Sequence, residues 1–213
     1  MDVKQSRKKS DQKCSLQEAL KALAEGKPII VVDDFDRENE GDLVISAQMA
    51  SKENLVFAMR HARGLMCLPT THEVLERLEV PIMVEKTNDP LETPFTVSVD
   101  AITTTTGMSV EDRLKTIKVL VDPESKPSEL KKPGHLFPLR ARKGLLLERR
   151  GHTEASVELM KLIGHKPVAV IIEIMNDDGT MTKGKQLMKY AKKHKLLMVA
   201  IQDIHEAVYS KAE

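Results

Sequence analysis

The sequence predicts an α/β (α+β) protein in which helices cover both faces of a mixed β-sheet. Short runs rich in Val, Ile and Leu alternate with segments whose apolar residues recur at helical intervals. A chain of 213 residues fits one domain with a substantial core. We therefore expect residues 15–213 to form a single domain and residues 1–14, which are basic and lack an apolar centre, to be a disordered leader.

The first half of the chain alternates helices and strands. Ser15 and Glu18 have the spacing of a capping box, and the apolar residues after them recur at helical intervals until Gly26. Apolar runs then predict buried strands, and an apolar stripe predicts a second helix. The predicted order is a helix over 15–26, strands over 28–32 and 42–47, a helix between 51 and 64, and a strand over 65–69.

The second half continues the alternation. The predicted order is a strand over 93–99, a helix over 109–120, a helix over 153–163, a strand over 168–174, a helix over 186–193 and a strand over 196–200. The Pro- and Lys-rich segment 122–135 leads directly into the apolar residues Phe137, Pro138 and Leu139. We interpret it as a long surface loop within the domain.

Composition excludes several classes of protein. The 33 Lys and Arg residues nearly balance 32 Asp and Glu residues, and aromatic residues make up only 3% of the chain, so a nucleic-acid-binding surface is not expected. No segment approaches the roughly 20 apolar residues that span a bilayer. Two cysteines, Cys14 and Cys67, cannot form a disulfide framework. These features predict a cytoplasmic protein that binds neither nucleic acid nor membrane.

An acidic segment, DDFDRENEGD, occupies residues 33–42 between two predicted strands. It contains six carboxylates and one cation, Arg37. An acidic turn is usually only a solvated surface feature. This one is fixed between two strands, and crowded carboxylates repel one another unless a cation offsets them. The segment therefore predicts a divalent metal site.

Two further segments combine turn residues with groups that bind anions. TTTTGMS, residues 103–109, ends at a helix start and is either an ordinary cap or a phosphate site. RRGHTEA, residues 149–155, offers the guanidinium groups of Arg149 and Arg150 and the hydroxyl of Thr153. His152 in this segment is a structural residue, a metal ligand or an acid–base group.

Two isolated ionisable residues complete the candidate site. His135 lies in a Pro-Gly turn, and Glu173 lies within the apolar run VAVIIEI. Glu173 is either paired or suited to proton transfer, or it reaches water where the strand ends. The chain has no Walker A loop, GxGxxG, GxSxG or HExxH motif. The predicted metal site and the predicted phosphate site together favour a small phosphorylated substrate, such as a sugar phosphate. The metal would be Mg2+ or Mn2+.

Five motifs in register resemble those of the 3,4-dihydroxy-2-butanone 4-phosphate synthase family: DDFDRENEGDL, TTGMSVEDR, KPGHLFPLRA, RRGHTEA and EIMNDDGTM. The resemblance runs from about Leu16 to about Val208. It implies that residues 15–213 are a catalytic domain that converts D-ribulose 5-phosphate to L-3,4-dihydroxy-2-butanone 4-phosphate and formate. It also implies a need for Mg2+, no organic cofactor, and a homodimer with sites at the subunit interface.

The resemblance also implies a role for each matching residue. Glu38 and His152 match metal ligands, and His135 and Glu173 match catalytic positions. Asp42 matches a substrate contact and joins the acid–base candidates, with His135, Glu173, Asp36 and Glu40. The positions that match the substrate-binding region are Arg37, Glu38, Asp42, Thr106, Arg149, Arg150, Gly151, His152 and Thr153.

Some features leave alternatives open. Phe35 stands where the family usually has an acid, so loop mobility or the affinity for a second metal could differ. Cys67 matches a cysteine that the family places near the substrate, although a buried structural thiol explains it equally. A metal-dependent aldolase or isomerase, or a non-catalytic binding module, could use the same constellation. Many relatives are fused to GTP cyclohydrolase II, and the sequence does not decide whether this chain is free-standing.

Overall fold

The protein is built around one seven-stranded sheet. The structure, a computed structural model, describes residues 14–34 and 37–210. In these ranges the chain forms α1 (Leu16–Ala24), β1 (Ile29–Val32), β2 (Gly41–Ser46), α2 (Lys52–His61), β3 (Cys67–Thr70), α3 (His72–Arg77), β4 (Val99–Ala101), α4 (Val110–Val121), β5 (Leu130–Arg140), α5 (His152–Leu162), β6 (Ala169–Glu173), α6 (Gly184–His194), β7 (Met198–Ala200) and α7 (Ile201–Tyr209).

The sheet is mixed, as the sequence predicts. Its strand order is β4-β5-β3-β6-β2-β1-β7. The pairs β1–β7 and β3–β5 are parallel, and β1–β2, β2–β6, β3–β6 and β4–β5 are antiparallel. Both β1 and β6 are antiparallel to β2. One edge of the sheet therefore contains the start of β2 together with the ends of β1 and β6. The acidic segment lies at this edge.

Helices cover both faces of the sheet, which confirms the predicted architecture. On one face, side chains of α2, α4 and α6 pack against strand residues such as Leu43 and Ile45. On the other face, side chains of α1, α5 and α7 pack against residues such as Ile29 and Val44. Alternate residues of β1 and β2 therefore enter different cores, which explains why both strands are continuous apolar runs.

Serine caps fix the starts of three helices. Ser15 caps α1 in a full capping box with Glu18, as predicted. Ser51 and Ser109 accept the backbone N–H of Asn54 and Asp112 at the starts of α2 and α4. These caps account for the accuracy of the predicted helix starts.

The predicted surface loop over 122–135 is wrong in its second part. Strand β5 begins at Leu130 and pairs with β4 well before the apolar residues appear. The polar residues Lys131 and Lys132 and the Pro133–Gly134 pair hide this strand from a hydrophobicity pattern. The pairing partner that makes it a strand is distant in sequence and visible only in the fold.

Other boundaries also differ from the prediction. Of the predicted strand over 93–99, only Val99 lies in a regular strand, because Phe95 and Thr96 form isolated bridges to Leu139 and Ile82. The helices α3 and α7 were not predicted, since both are short and follow strands without a break in composition. No described helix has the length and apolar character that crossing a membrane requires.

The predicted leader falls mostly outside the described residues. Residues 1–13 are not described, and neither are Phe35 and Asp36 of the acidic segment. Cys14 is described, and its backbone N–H donates to the carbonyl of Met198 in β7 at 3.2 Å. Cys14, the last residue of the predicted leader, therefore contacts β7.

Candidate metal centre and active site

The acidic segment folds around the buried carboxylate of Asp33. This side chain accepts the backbone N–H groups of Glu38 and Glu40 at 3.1 and 2.9 Å and the guanidinium of Arg37 at 2.8 Å. Asp33 is 6% exposed. The segment is thus a built turn and not a merely solvated surface feature, because a buried carboxylate with three donors fixes its backbone.

The turn brings two carboxylates together with an imidazole. Oxygen atoms of Asp33 and Glu38 and a ring nitrogen of His152 all lie within 4.8 Å of one another. His152 is the first residue of α5 and is 7% exposed. Its Nε2 atom is buried and has no hydrogen-bond partner among the described residues. A buried imidazole nitrogen left without a partner beside two carboxylates suits a divalent cation.

The charge state of His152 also fits a metal ligand. Burial lowers the pKa of this imidazole, although the charges of Asp33 and Glu38 oppose the shift. The neutral ring keeps a nitrogen lone pair for a metal, and the carboxylate oxygens complete a donor set that Mg2+ and Mn2+ accept. Asp33 was not predicted as a ligand. Its position as the first acid after β1 was the available signal, since strand ends at one sheet edge converge.

Asp42 and Glu173 lie opposite each other at the same edge. They are paired across β2 and β6, and Asp42 Oδ2 lies 4.0 Å from His152 Nδ1. Burial raises the pKa of Asp42 well above its usual value, and the charges of Glu173 and Glu38 raise it further. This carboxyl group therefore keeps its proton more strongly than an exposed acid.

Glu173 is held by a hydrogen bond from the neighbouring turn. The strand β6 ends at this residue, and the carboxylate accepts the backbone N–H of Leu65 at 2.7 Å. The N–H of Gly64 donates to the Glu173 carbonyl at 3.1 Å. The sequence left open whether Glu173 has a partner or reaches water. Its carboxylate has a hydrogen-bond partner, and its place at the strand end also leaves it partly exposed.

Arg149 is engaged inside the chain. Its guanidinium donates to Glu154 at 2.6 Å, to the Leu91 carbonyl at 3.1 Å and to Thr93 at 3.1 Å. A Cβ atom on Gly151 would press against this guanidinium, so a larger residue there would displace the Arg149 side chain. Thr153 is buried, whereas Arg150 is exposed. Arg150 is therefore the freer of the two arginines.

His135 is paired with a buried acid on the neighbouring strand. Its Nδ1 atom lies 2.7 Å from Oδ2 of Asp100, and its backbone N–H donates to Oδ1 at 3.0 Å. Gly107 has a φ of +84° and packs against both side chains, where a Cβ atom would collide. The residue Asp100 was missed by sequence reasoning, because nothing in VSVDA separates it from an ordinary strand acid.

The hydroxyl-rich segment is organised by Asp112. This side chain accepts hydrogen bonds from Thr105 and from the backbone of Gly107, and those bonds, with Lys115, lower its pKa. Thr106 is exposed next to them. The segment is therefore both a helix cap at Ser109 and an ordered loop that presents Thr106 to solvent.

The chain does not bring His135 to the metal cluster. Strands β3 and β6 lie between β5 and β2, so three steps of about 4.8 Å separate the strand of His135 from β2 by about 14 Å, and His135 is not among the clustered residues. Glu38, Asp42, His152 and Glu173 are brought together, and His135 is not. Its ring remains 42% exposed beyond the Asp100 contact.

Cys67 is buried in β3 in register with Phe137 and Ile171. Burial, followed by the charges of Glu173 and Asp42, raises the pKa of the thiol. The thiol is thus protonated and packed in the core. This is the state expected of a structural cysteine.

Comparison with known proteins places the chain in a family. Residues 17–207 match the family model for 3,4-dihydroxy-2-butanone 4-phosphate synthase. The riboflavin biosynthesis protein RibBA of Staphylococcus aureus (strain COL) is 49% identical over 192 residues, which are 90% of this chain and 49% of the relative. RibBA of Bacillus subtilis (strain 168) is 48% identical over 195 residues, 92% of this chain and 49% of the relative. The chain spans about half the length of these curated relatives.

Solved structures agree with the family match. A crystal structure of 3,4-dihydroxy-2-butanone 4-phosphate synthase in complex with two magnesium ions has a TM-score of 0.87 and 40% identity, covering 92% of this chain and 97% of that one. RibBX, a two-domain 3,4-dihydroxy-2-butanone 4-phosphate synthase from A. baumannii, has a TM-score of 0.88 and 39% identity, covering 91% and 57%. This chain belongs to the 3,4-dihydroxy-2-butanone 4-phosphate synthase family.

Proposed function

We propose that the chain converts D-ribulose 5-phosphate to L-3,4-dihydroxy-2-butanone 4-phosphate and formate, as an Mg2+-dependent lyase of riboflavin biosynthesis. The observation that carries this proposal is the cluster in which a ring nitrogen of the buried His152 and carboxylate oxygens of Asp33 and Glu38 lie within 4.8 Å of one another. The family match supports the reaction, and the geometry supplies groups that suit it.

The metal site would be formed by Glu38 and His152, with Asp33 beside them. A divalent cation supplies charge stabilisation where negative charge develops on substrate oxygens. Asp33 also holds the backbone of the turn, so its carboxylate both shapes the site and adds negative charge to it. Mn2+ can replace Mg2+ because an imidazole nitrogen is present, and the proposed reaction uses no organic cofactor.

The acid–base groups would be Asp42 and Glu173. The raised pKa of Asp42 lets its carboxyl group hold a proton at a higher pH than an exposed acid, while Glu173 lies directly across the strand pair. Enolisation, dehydration and the later addition of water each move a proton, so a group that titrates near neutral pH is required. Arg37 ion-pairs with Asp33 and Glu38 and so lies beside the proposed metal site, where it would contact the substrate.

The substrate phosphate would be held where α5 begins. Arg150, Gly151 and Thr153 lie at the start of this helix, whose N-terminal N–H groups favour an anion. Arg149 would shape this region through its contacts with Glu154 and Thr93. Thr106, exposed on the ordered loop, would contribute a hydroxyl.

The active form would be a cytoplasmic homodimer that shares its sites. His135 lies on a strand about 14 Å from β2 by strand spacing, yet its ring is partly exposed and oriented by Asp100. A catalytic His135 would therefore reach the metal site of a second copy, as a two-fold interface permits.

The reaction is tested by measuring formate. We expect formate release from ribulose 5-phosphate with Mg2+ and its loss with excess EDTA, because the metal site is required. Colorimetric detection of formate with formate dehydrogenase measures it. Consumption of substrate without formate would indicate an aldolase or isomerase, and no turnover by folded, Mg2+-loaded protein would indicate a binding module.

The metal ligands are tested with Glu38→Gln. We expect the affinity for Mn2+ to fall at least about tenfold, because one charged ligand is lost. Isothermal titration calorimetry measures the affinity. Glu40→Gln is the matched control, since Glu40 lies on the same turn but pairs with Lys183 at 3.1 Å outside the cluster. Equal losses in both variants would show that only the general charge of the turn matters.

The protonation of Asp42 is tested with Asp42→Asn in EDTA. The pKa of Asp42 is higher in the folded chain than in the unfolded chain, so folding is favoured while this group is protonated. That contribution to stability is fully present below the unfolded-state pKa, about 3.9, and is lost as pH rises. We expect the variant to be more stable than the wild type at pH 7 and the difference to vanish below about pH 4. Urea unfolding measures the free energy at each pH. A difference independent of pH would point to packing, and no difference would contradict the buried charge.

The shared site is tested by mixing His135→Ala chains with Glu38→Ala chains. If each site takes Glu38 from one copy and His135 from the other, random equimolar mixing restores about a quarter of wild-type activity, since half of the dimers carry one intact site. Formate release after refolding the mixture measures this. Activity no higher than that of either variant alone would place both residues in the site of one chain.

A further inference from the structure

A second polar cavity lies on the sheet face opposite α5. It has a volume of about 200 Å³ and is enclosed by the C-terminal end of α2, the residues after β6, and α6. None of the residues proposed above for metal, substrate or catalysis lines it. The cavity is therefore distinct from the site at His152.

The cavity concentrates positive charge. Arg63, Lys189 and Lys193 line it, against the single carboxylate of Asp177. Asp177 pairs with Arg63 at 2.6 Å but is itself 88% exposed. Neither lysine has a carboxylate partner within residues 14–34 and 37–210. The two lysines are one helical turn apart, where like charges repel unless an anion lies between them.

Two histidines line the cavity beside these cations. The rings of His61 and His194 have centroids 4.7 Å apart, and the ring of Tyr190 lies 4.5 Å from that of His194. Burial lowers the pKa of His194, and the charges of His61, Lys193 and Arg63 lower it further. The His194 ring is therefore held in its neutral form, and the positive charge of the cavity comes from Arg63 and the two lysines.

The hydroxyl of Tyr190 is a donor without an acceptor. Its oxygen is buried and has no hydrogen-bond partner among the residues that the structure describes. Burial raises the pKa of this phenol to about 12, so it keeps its proton at neutral pH. A buried hydroxyl normally has a partner, and the side chain that carries this one lines the cavity. The protonated hydroxyl is therefore a donor for which the described residues supply no acceptor.

We propose that this cavity binds a phosphate dianion, either free or as the monoester of a small metabolite. The three cations supply charge, and the Tyr190 hydroxyl supplies a directed donor, which together match a tetrahedral group with several acceptor oxygens. The opposing rings of His61 and His194 close the inner side. A cavity of about 200 Å³ has room for a phosphate group.

The cavity touches the turn that supports Glu173. Arg63 has a φ of 75° and bridges to Ile174, and its guanidinium donates to the Met175 carbonyl at 3.1 Å. The next two residues, Gly64 and Leu65, donate their N–H groups to Glu173. An anion held by Arg63 therefore acts on the same short turn that positions this carboxylate.

Tyrosine signals give a direct readout of the cavity. The chain has two tyrosines, and the hydroxyl of the other, Tyr209, donates to Glu158 at 2.6 Å. We expect the ring signals of 13C-labelled Tyr190 to shift in a saturable way when inorganic phosphate or glycerol 3-phosphate is added at constant ionic strength. Tyr209→Phe assigns the signals. Tighter binding of glycerol 3-phosphate would identify a monoester site, and equal binding a site for the phosphate group alone.

A matched pair of variants separates a built site from general surface charge. Lys189→Gln with Lys193→Gln is expected to weaken the binding at least about tenfold, because two charge-assisted contacts are lost. Lys185→Gln with Lys192→Gln removes the same charge from α6 outside the cavity and is expected to leave the binding nearly unchanged. A Tyr190 shift that does not saturate, or equal weakening in both double variants, would overturn the proposal. Phosphate bound at the start of α5 leaves the comparison unaffected, since neither pair touches it.

Discussion

The turn around Asp33 is the constraint on which the proposed site depends. One buried carboxylate collects two backbone N–H groups and the guanidinium of Arg37, and so fixes the path of the chain between β1 and β2. That path places Glu38 against His152 at the start of α5 and sets Asp42 at the start of β2. Without it, the six carboxylates of the acidic segment would separate in solvent, because their mutual repulsion favours distance.

The site is held in a state that folding alone does not favour. Asp42 is a buried acid opposite a second acid, and His152 leaves a buried nitrogen without a partner. Such groups destabilise a fold unless a ligand compensates them. The surrounding sheet tolerates them because β1, β2 and β6 are continuous apolar strands between two packed helical layers. A rigid scaffold thus supports a locally unfavourable arrangement, as functional sites commonly require.

The distribution of the polar groups gives the molecule three separate regions. The metal cluster lies at the edge formed by β1, β2 and β6, and His135 lies with Asp100 on the far side of two intervening strands. The basic cavity lies on the opposite face, joined to Glu173 through the turn at Arg63. The proposed dimer brings the metal cluster of one copy to His135 of the other. The proposed anion site adjoins the turn that holds the carboxylate of Glu173.

The sequence by itself determined the fold class, most helices and strands, and the set of ionisable residues that lie at one sheet edge. Helical periodicity and apolar runs are local, so they report on elements such as α1 and β6 directly. The tertiary structure decided what depends on distant partners. Strand β5 exists because β4 pairs with its polar half, and Asp33 becomes a candidate ligand because α5 places His152 above it. Asp100 joins His135 across neighbouring strands, and the charges of α6 face a cavity that no local pattern reveals. The physical reason is that propensity and periodicity act along the chain, whereas burial, register and electrostatic partners are set by residues far apart in sequence.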